Sequence, residues 1–195
     1  MEHALLDDPE ALERRRGLIV RPTALSRYVE DLRRRHGEVP DPDPLDGGLV
    51  APLLLLLETP GPSVGRSGFV SADNPTGTGR NLRRFWAEAG LSREQRLIWN
   101  AVPWVIHVPG ARNRAPRRAE LKAGLRELPG LLDLLRLRVV VLAGRSAAAA
   151  APLMPAGIPV LLMSHPSPTI TCTSPSIPAR IRATLAEAAR ILSEP

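Results

Sequence analysis

Three polar groups stand immediately after apolar runs. Glu58-Thr59-Pro60-Gly61 follows the run 49–57, Asn100 ends Leu97-Ile98-Trp99, and His165 sits between the run 158–163 and Pro166-Ser167-Pro168. Their types divide one reaction between them. An asparagine presents a donor and an acceptor side by side, so it pairs with the carbonyl and N–H edge of a pyrimidine and disfavours the reversed pattern of cytosine. A histidine on the facing wall donates to a carbonyl oxygen that gains negative charge as a bond to the ring nitrogen breaks. A carboxylate is then needed to position water or to steady the positive sugar left behind, and Glu58 and Asp73 are the acids at hand. Singly, each residue has a plainer use: an asparagine at a strand end caps or turns the chain, and a histidine before proline satisfies a local hydrogen bond.

The elements that must hold these groups are legible from periodicity. Residues 9–16 and 23–36 read as two short charged helices, the second capped by Thr23 and stopped by Gly37. Residues 38–48, with three prolines and Gly47-Gly48, read as a linker. Residues 49–57 are apolar on both faces, the mark of a central strand covered on each side. After a Gly-, Pro- and Ser-rich loop at 59–78, the pattern predicts a helix at 79–90, a strand at 96–101, and a helix or helix pair at 117–135 broken near Pro129-Gly130. A strand at 137–143, a short helix from 146 to 151, a strand at 158–163 and a closing helix at 178–192 complete it. The expected fold class is α/β: a single-domain three-layer α/β/α architecture with a central, mostly parallel four-stranded sheet. Such sheets bind ligands beyond the carboxyl ends of their strands, where all three polar groups fall. The expected division is a helical extension and linker over 1–48 and the domain proper over 49–195.

Composition bounds the rest. The 195 residues, 44% of them hydrophobic, suit one domain with a sizeable core. The net charge of +6 is almost all arginine, Lys122 being the only lysine, which is compatible with a phosphate-bearing partner or with a solvated surface. With Cys172 alone, an intrachain disulfide, a cysteine-ligated zinc and a four-cysteine iron-sulfur cluster are excluded. No apolar run approaches about 18 residues and no basic, then apolar, leader opens the chain, so the expectation is a cytoplasmic protein with no membrane contact.

The order of these pieces resembles the uracil-DNA glycosylase superfamily over residues 49–192. Leu57-Glu58-Thr59-Pro60-Gly61 resembles its first motif, G-E-A-P-G in the iron-sulfur branch, and His165-Pro166-Ser167-Pro168 its second, H-P-S-P in the uracil-specific branch. Trp99-Asn100-Ala101-Val102 is similar to the strand with the uracil-reading asparagine. Asn113-Arg114-Ala115-Pro116 with Glu120 resembles N-R-x-P and its downstream acid, and Gly144-Arg145-Ser146-Ala147 the G-R-x-A turn.

The resemblance implies a monomeric enzyme, with no metal or other cofactor, that excises uracil or another deaminated base from DNA by flipping it and hydrolysing its N-glycosidic bond. In it, Asn100 reads the base, Phe69 stacks on it, Thr59, Pro60 and Gly61 line its site, and His165 stabilises the departing anion. Asp73 is the preferred water-positioning residue, with Glu58 nearby. Ser167, Pro168 and Ile170 face DNA, Ile170 as a wedge into the minor groove or as core packing. Arg80, Arg83, Arg84, Arg112 and Arg114 contact phosphates or are simply solvated. Two departures qualify it: Thr59 replaces an acid found in several branches and cannot act as a base near neutral pH, and the cluster cysteines are missing, which points to a cluster-free relative. Two other readings stay open, a catalytically weak protein of the same fold that binds damaged or single-stranded DNA, and a nucleotide-binding enzyme using Gly77-Thr78-Gly79 and Gly144-Arg145-Ser146, neither of which completes a phosphate-loop fingerprint.

Overall fold

The computed structural model describes residues 6, 8–19, 21–108, 110–111 and 113–194. In chain order its elements are α1 (Pro9–Gly17), α2 (Ala24–His36), β1 (Asp41–Pro42), β2 (Leu53–Leu57), α3 (Val64–Ser67), β3 (Phe69–Val70), α4 (Gly77–Ala89), β4 (Arg96–Asn100), α5 (Arg118–Leu132), β5 (Val139–Ala143), α6 (Arg145–Ala148), β6 (Val160–Met163), α7 (Pro168–Thr171) and α8 (Ser176–Ser193). The four long strands form one parallel sheet in the order β4-β2-β5-β6. Leu55 pairs with Ile98 on one side and Val141 on the other.

Alternation along β2 divides the interior. Leu54 and Leu56 join Trp99, Val140 and Leu142 on one face, covered by Val29 and Leu32 of α2 and Leu128 and Leu131 of α5. Leu53, Leu55 and Leu57 join Ile98 and Val141 on the other, covered by Leu82, Phe85 and Trp86 of α4 and Ile181 and Leu185 of α8. Burying each such leucine contributes about 1.5–3 kcal/mol, which is why a five-leucine strand sits at the centre. The result is the three-layer α/β/α sandwich that the periodicity predicts.

Several boundaries differ from the sequence reading. β2 starts at Leu53 because residues 48–50 form a 3-10 turn and Pro52, lacking an N–H, gives only its carbonyl to Arg138 and Val139. α5 runs unbroken through Pro129, which falls in its last turn, with Gly130 leaving room for the Tyr28 ring. The amino-terminal residues read as an extension are built in: α2 supplies core residues with no exposed surface, and β1 pairs in parallel with β3 (Asp41 opposite Phe69). Among the described residues no helix is long and apolar enough to cross a membrane.

Candidate active site

The carboxyl ends of all four strands open into one cavity of about 720 Å³. β2 delivers Glu58, Thr59, Pro60 and Gly61, β4 delivers Asn100, β5 the turn Gly144-Arg145-Ser146, and β6 His165; all line the cavity. The three polar groups that the sequence places at strand ends are thus brought together.

Asn100 closes β4 in register with Leu57 and keeps only 3% of its surface exposed. Its backbone neighbour is pinned, the Ala101 N–H donating to the Leu57 carbonyl at 2.9 Å, whereas the carboxamide has no hydrogen-bond partner among the described residues. The carboxamide opens on the cavity, so a ligand edge presenting a carbonyl beside an N–H would pair with it.

His165 is half-buried, and its Nδ1 accepts from the Ser167 N–H at 3.2 Å. That contact leaves the proton of the neutral ring on Nε2, ready to donate. Burial holds the imidazole below its ordinary pKa, which favours the neutral donor. The ring is held from behind by Gly144 at φ +88°, where an added Cβ would stand 3.2 Å from the His165 Cβ. The loop after it is fixed from α4: Asn81 Nδ2 donates to the Pro166 carbonyl at 2.8 Å and to Thr171 Oγ1 at 3.2 Å, and Gly77 gives Pro168 room that a Cβ would fill at 2.2 Å. Ser167 and Ile170 stand on the cavity wall, Ile170 38% exposed, while Pro168 packs behind them on Gly77.

Glu58 is the one carboxylate among the described residues lining the cavity, and Ser146 Oγ donates to its Oε2 at 3.0 Å. Thr59, at the position where several branches have an acid, is bridged by Asn113, whose Nδ2 donates to the threonine hydroxyl at 3.1 Å. Arg114 forks onto Glu120 at 2.6 and 2.7 Å, which holds that carboxyl well below its usual range. Arg114 still lines the cavity, whereas Arg112 lies outside the described residues.

Two expected members stand elsewhere. Asp73 does not line the cavity; its Oδ2 accepts from Arg15 at 2.9 Å and from Arg93 at 2.6 Å, inside a cluster where both guanidiniums also reach Asp43 and Arg93 reaches Asp46. Burial raises the Asp73 pKa, but the two arginines outweigh it and hold the carboxyl below its ordinary value. The Asp73 N–H turns back to Ser71 Oγ while its carboxylate is held by Arg15 of α1 and by Arg93, and it is Asn74 that reaches the cavity wall. Phe69 is likewise off the lining, with 1% of its surface exposed. In β3 successive side chains point to opposite sides, and Val70 is the one on the cavity, beside Leu82 and Ile98. Of the arginines expected at phosphates, Arg83 donates to the Ala72 carbonyl and Arg84 lies over the Phe85 ring near Glu88, while Arg80 is exposed on α4.

Sequence reasoning named Ser146 only as part of the Gly144-Arg145-Ser146-Ala147 turn, with no role of its own, and did not single out Asn81 or Asn74. The rule that residues just beyond strand ends build the site would have found Ser146, three residues after β5. Asn81 and Asn74 carry no such signal, because they act across 85 and 5 residues through backbone carbonyls that only the folded chain brings near. The sole cysteine, exposed Cys172 after α7, offers one thiolate where an iron-sulfur cluster takes four, so the residues present do not fit that group.

Comparison with curated proteins gives no match. The family model described as Uracil DNA glycosylase superfamily matches residues 46–189, a span that holds the whole sheet and every strand-end residue above. The chain belongs to the uracil-DNA glycosylase superfamily.

Proposed function

We propose that the protein excises uracil from DNA. The observation that carries this reading is the Asn100 carboxamide, unpartnered among the described residues and opening on the same cavity as a neutral imidazole donor and, among those residues, one carboxylate. Uracil offers the edge that satisfies it: Asn100 Nδ2 donates to O4 and Oδ1 accepts from N3–H. Cytosine reverses both, and the carboxamide would have to turn over to meet it. A base reaches such a cavity only out of the helix, and exposed Ile170 at the mouth fills the space it vacates, offsetting part of the few kcal/mol that flipping costs.

Hydrolysis then runs as follows. The C1′–N1 bond breaks and its electron pair leaves with the base, spread over N1 and O2; the His165 Nε2–H donates to O2, a stabilisation worth about 10²–10³ in rate. Water oriented by Glu58 adds its oxygen to C1′ and passes a proton to the carboxylate, which returns it to solvent while the uracil anion is protonated from solvent. Glu58 takes the role expected of Asp73, because Asp73 is committed to Arg15 and Arg93. The Thr59–Asn113 bridge orients the same water without acting as a base.

The test is cleavage of end-labelled oligonucleotides carrying one uracil, opposite guanine, opposite adenine or unpaired, with alkali to break abasic sites. Strand breaks that fall about 100-fold or more in Asn100→Ala and in Glu58→Gln are expected. Tight, salt-sensitive binding without breaks would instead make the protein a non-catalytic reader of damaged DNA.

A further inference from the structure

We infer that Ser146 is the positioning residue for Glu58: its hydroxyl, delivered by the turn after β5, sets the direction of the acid delivered by β2. This role rests on the excision chemistry proposed above and assigns that chemistry one more residue. Ser146 Oγ donates to Glu58 Oε2 at 3.0 Å, across 88 residues of sequence. Holding one oxygen leaves Oε1 as the atom free to meet water in the cavity.

The turn is built to aim that hydroxyl. Gly144 N–H donates to the Met163 carbonyl at 2.9 Å, which ties the turn to β6, and Ala148 N–H returns to the Gly144 carbonyl at 2.9 Å. Ala147, next to Ser146, is fully buried in the core, so the turn cannot rotate about its own axis. The same turn backs His165 through Gly144. β5 lies between β2 and β6 in the sheet, and its carboxyl-end turn therefore braces both the acid and the imidazole. A serine placed only to satisfy its own hydroxyl would accept any partner; here the partner is the one carboxylate among the described residues lining the cavity.

The experiment measures single-turnover excision and the Kd for a uracil oligonucleotide in the full chain, for Ser146→Ala, Ser146→Thr, Glu58→Gln and the double variant Glu58→Gln/Ser146→Ala. Misplacing a reacting group by a fraction of an ångström to 1 Å costs roughly 10- to 100-fold, so Ser146→Ala should lose about 10-fold in rate. Its Kd should stay within about twofold, and Ser146→Thr, which keeps the hydroxyl, should recover to within about threefold of the wild-type rate. In the Glu58→Gln background the serine change should cost nothing more, because the two residues act as one unit. An equal loss in both backgrounds, or a loss carried by Kd, overturns the inference. A Glu58→Gln protein with the wild-type rate removes Glu58 from the chemistry and this role with it, and a wild-type protein that excises nothing overturns the excision reading itself.

Discussion

Asp73 gives the sharpest separation between the residue that the spacing suggests and the one proposed for the chemistry. Asp73→Asn keeps the shape and removes the charge that faces Arg15 and Arg93. Breaking a buried ion pair by removing one partner costs about 3–5 kcal/mol when the remaining charge is stranded. Here it is not stranded: both guanidiniums keep Asp43 at 2.8 Å, and Arg93 keeps Asp46 at 3.1 Å. The Asp73 side chain is also 17% exposed, so water recovers part of the loss. The expected cost is accordingly smaller, about 1–3 kcal/mol. For a chain of this size that lowers the thermal midpoint by roughly 3–10 °C. Circular dichroism melts report it, alongside single-turnover excision at 20 °C below the lowered midpoint. The excision rate should stay within about threefold of wild type. A rate that collapses about 100-fold with an unchanged midpoint would refute the reasoning and return Asp73 to the chemistry.

Two further substitutions probe the frame of the site. Gly144→Ala forces a side chain into φ +88° and sets its Cβ 3.2 Å from that of His165; at about 1–3 kcal/mol for the backbone alone, it should lower the melting midpoint and slow excision together, and retention of both would show that the turn does not press on the histidine. Asp46 is pushed up to about 7 by burial, against the pull of Arg93. Its folded pKa is above its unfolded one, so its contribution to stability is full in acid and is lost as pH rises toward and through about 7. Asp46→Asn removes that titration, and urea melts from pH 5 to 8 should show wild type losing stability relative to the variant; a constant difference across that range would refute it.

What the sequence disclosed, it disclosed through the sheet. The apolar runs that end at Leu57, Trp99 and Met163 mark strands of the parallel sheet, and the chemistry of a parallel sheet lies at one edge, so Glu58, Asn100 and His165 are found by reading one or two residues past each run. Asp73 and Phe69 escaped that logic because they sit in the 59–78 loop, where no period fixes which side chain faces inward. There the deciding forces are long-range. Arg15 comes from a helix nearly sixty residues earlier, Arg93 from the segment before β4, and Asp43 from the stretch that reads as a proline linker. Ser71 turns its hydroxyl onto Asp43, and the same residue lines the cavity. The amino-terminal residues are therefore part of what shapes the site: α1 and the 41–46 segment supply the charges that draw Asp73 outward, and drawing Asp73 outward is what turns Asn74 toward the cavity and leaves Glu58 as its one acid among the described residues. Net charge counts in the sequence cannot reveal this, since an arginine on a surface helix and an arginine that fixes a loop are the same letter until the loop is folded beside it.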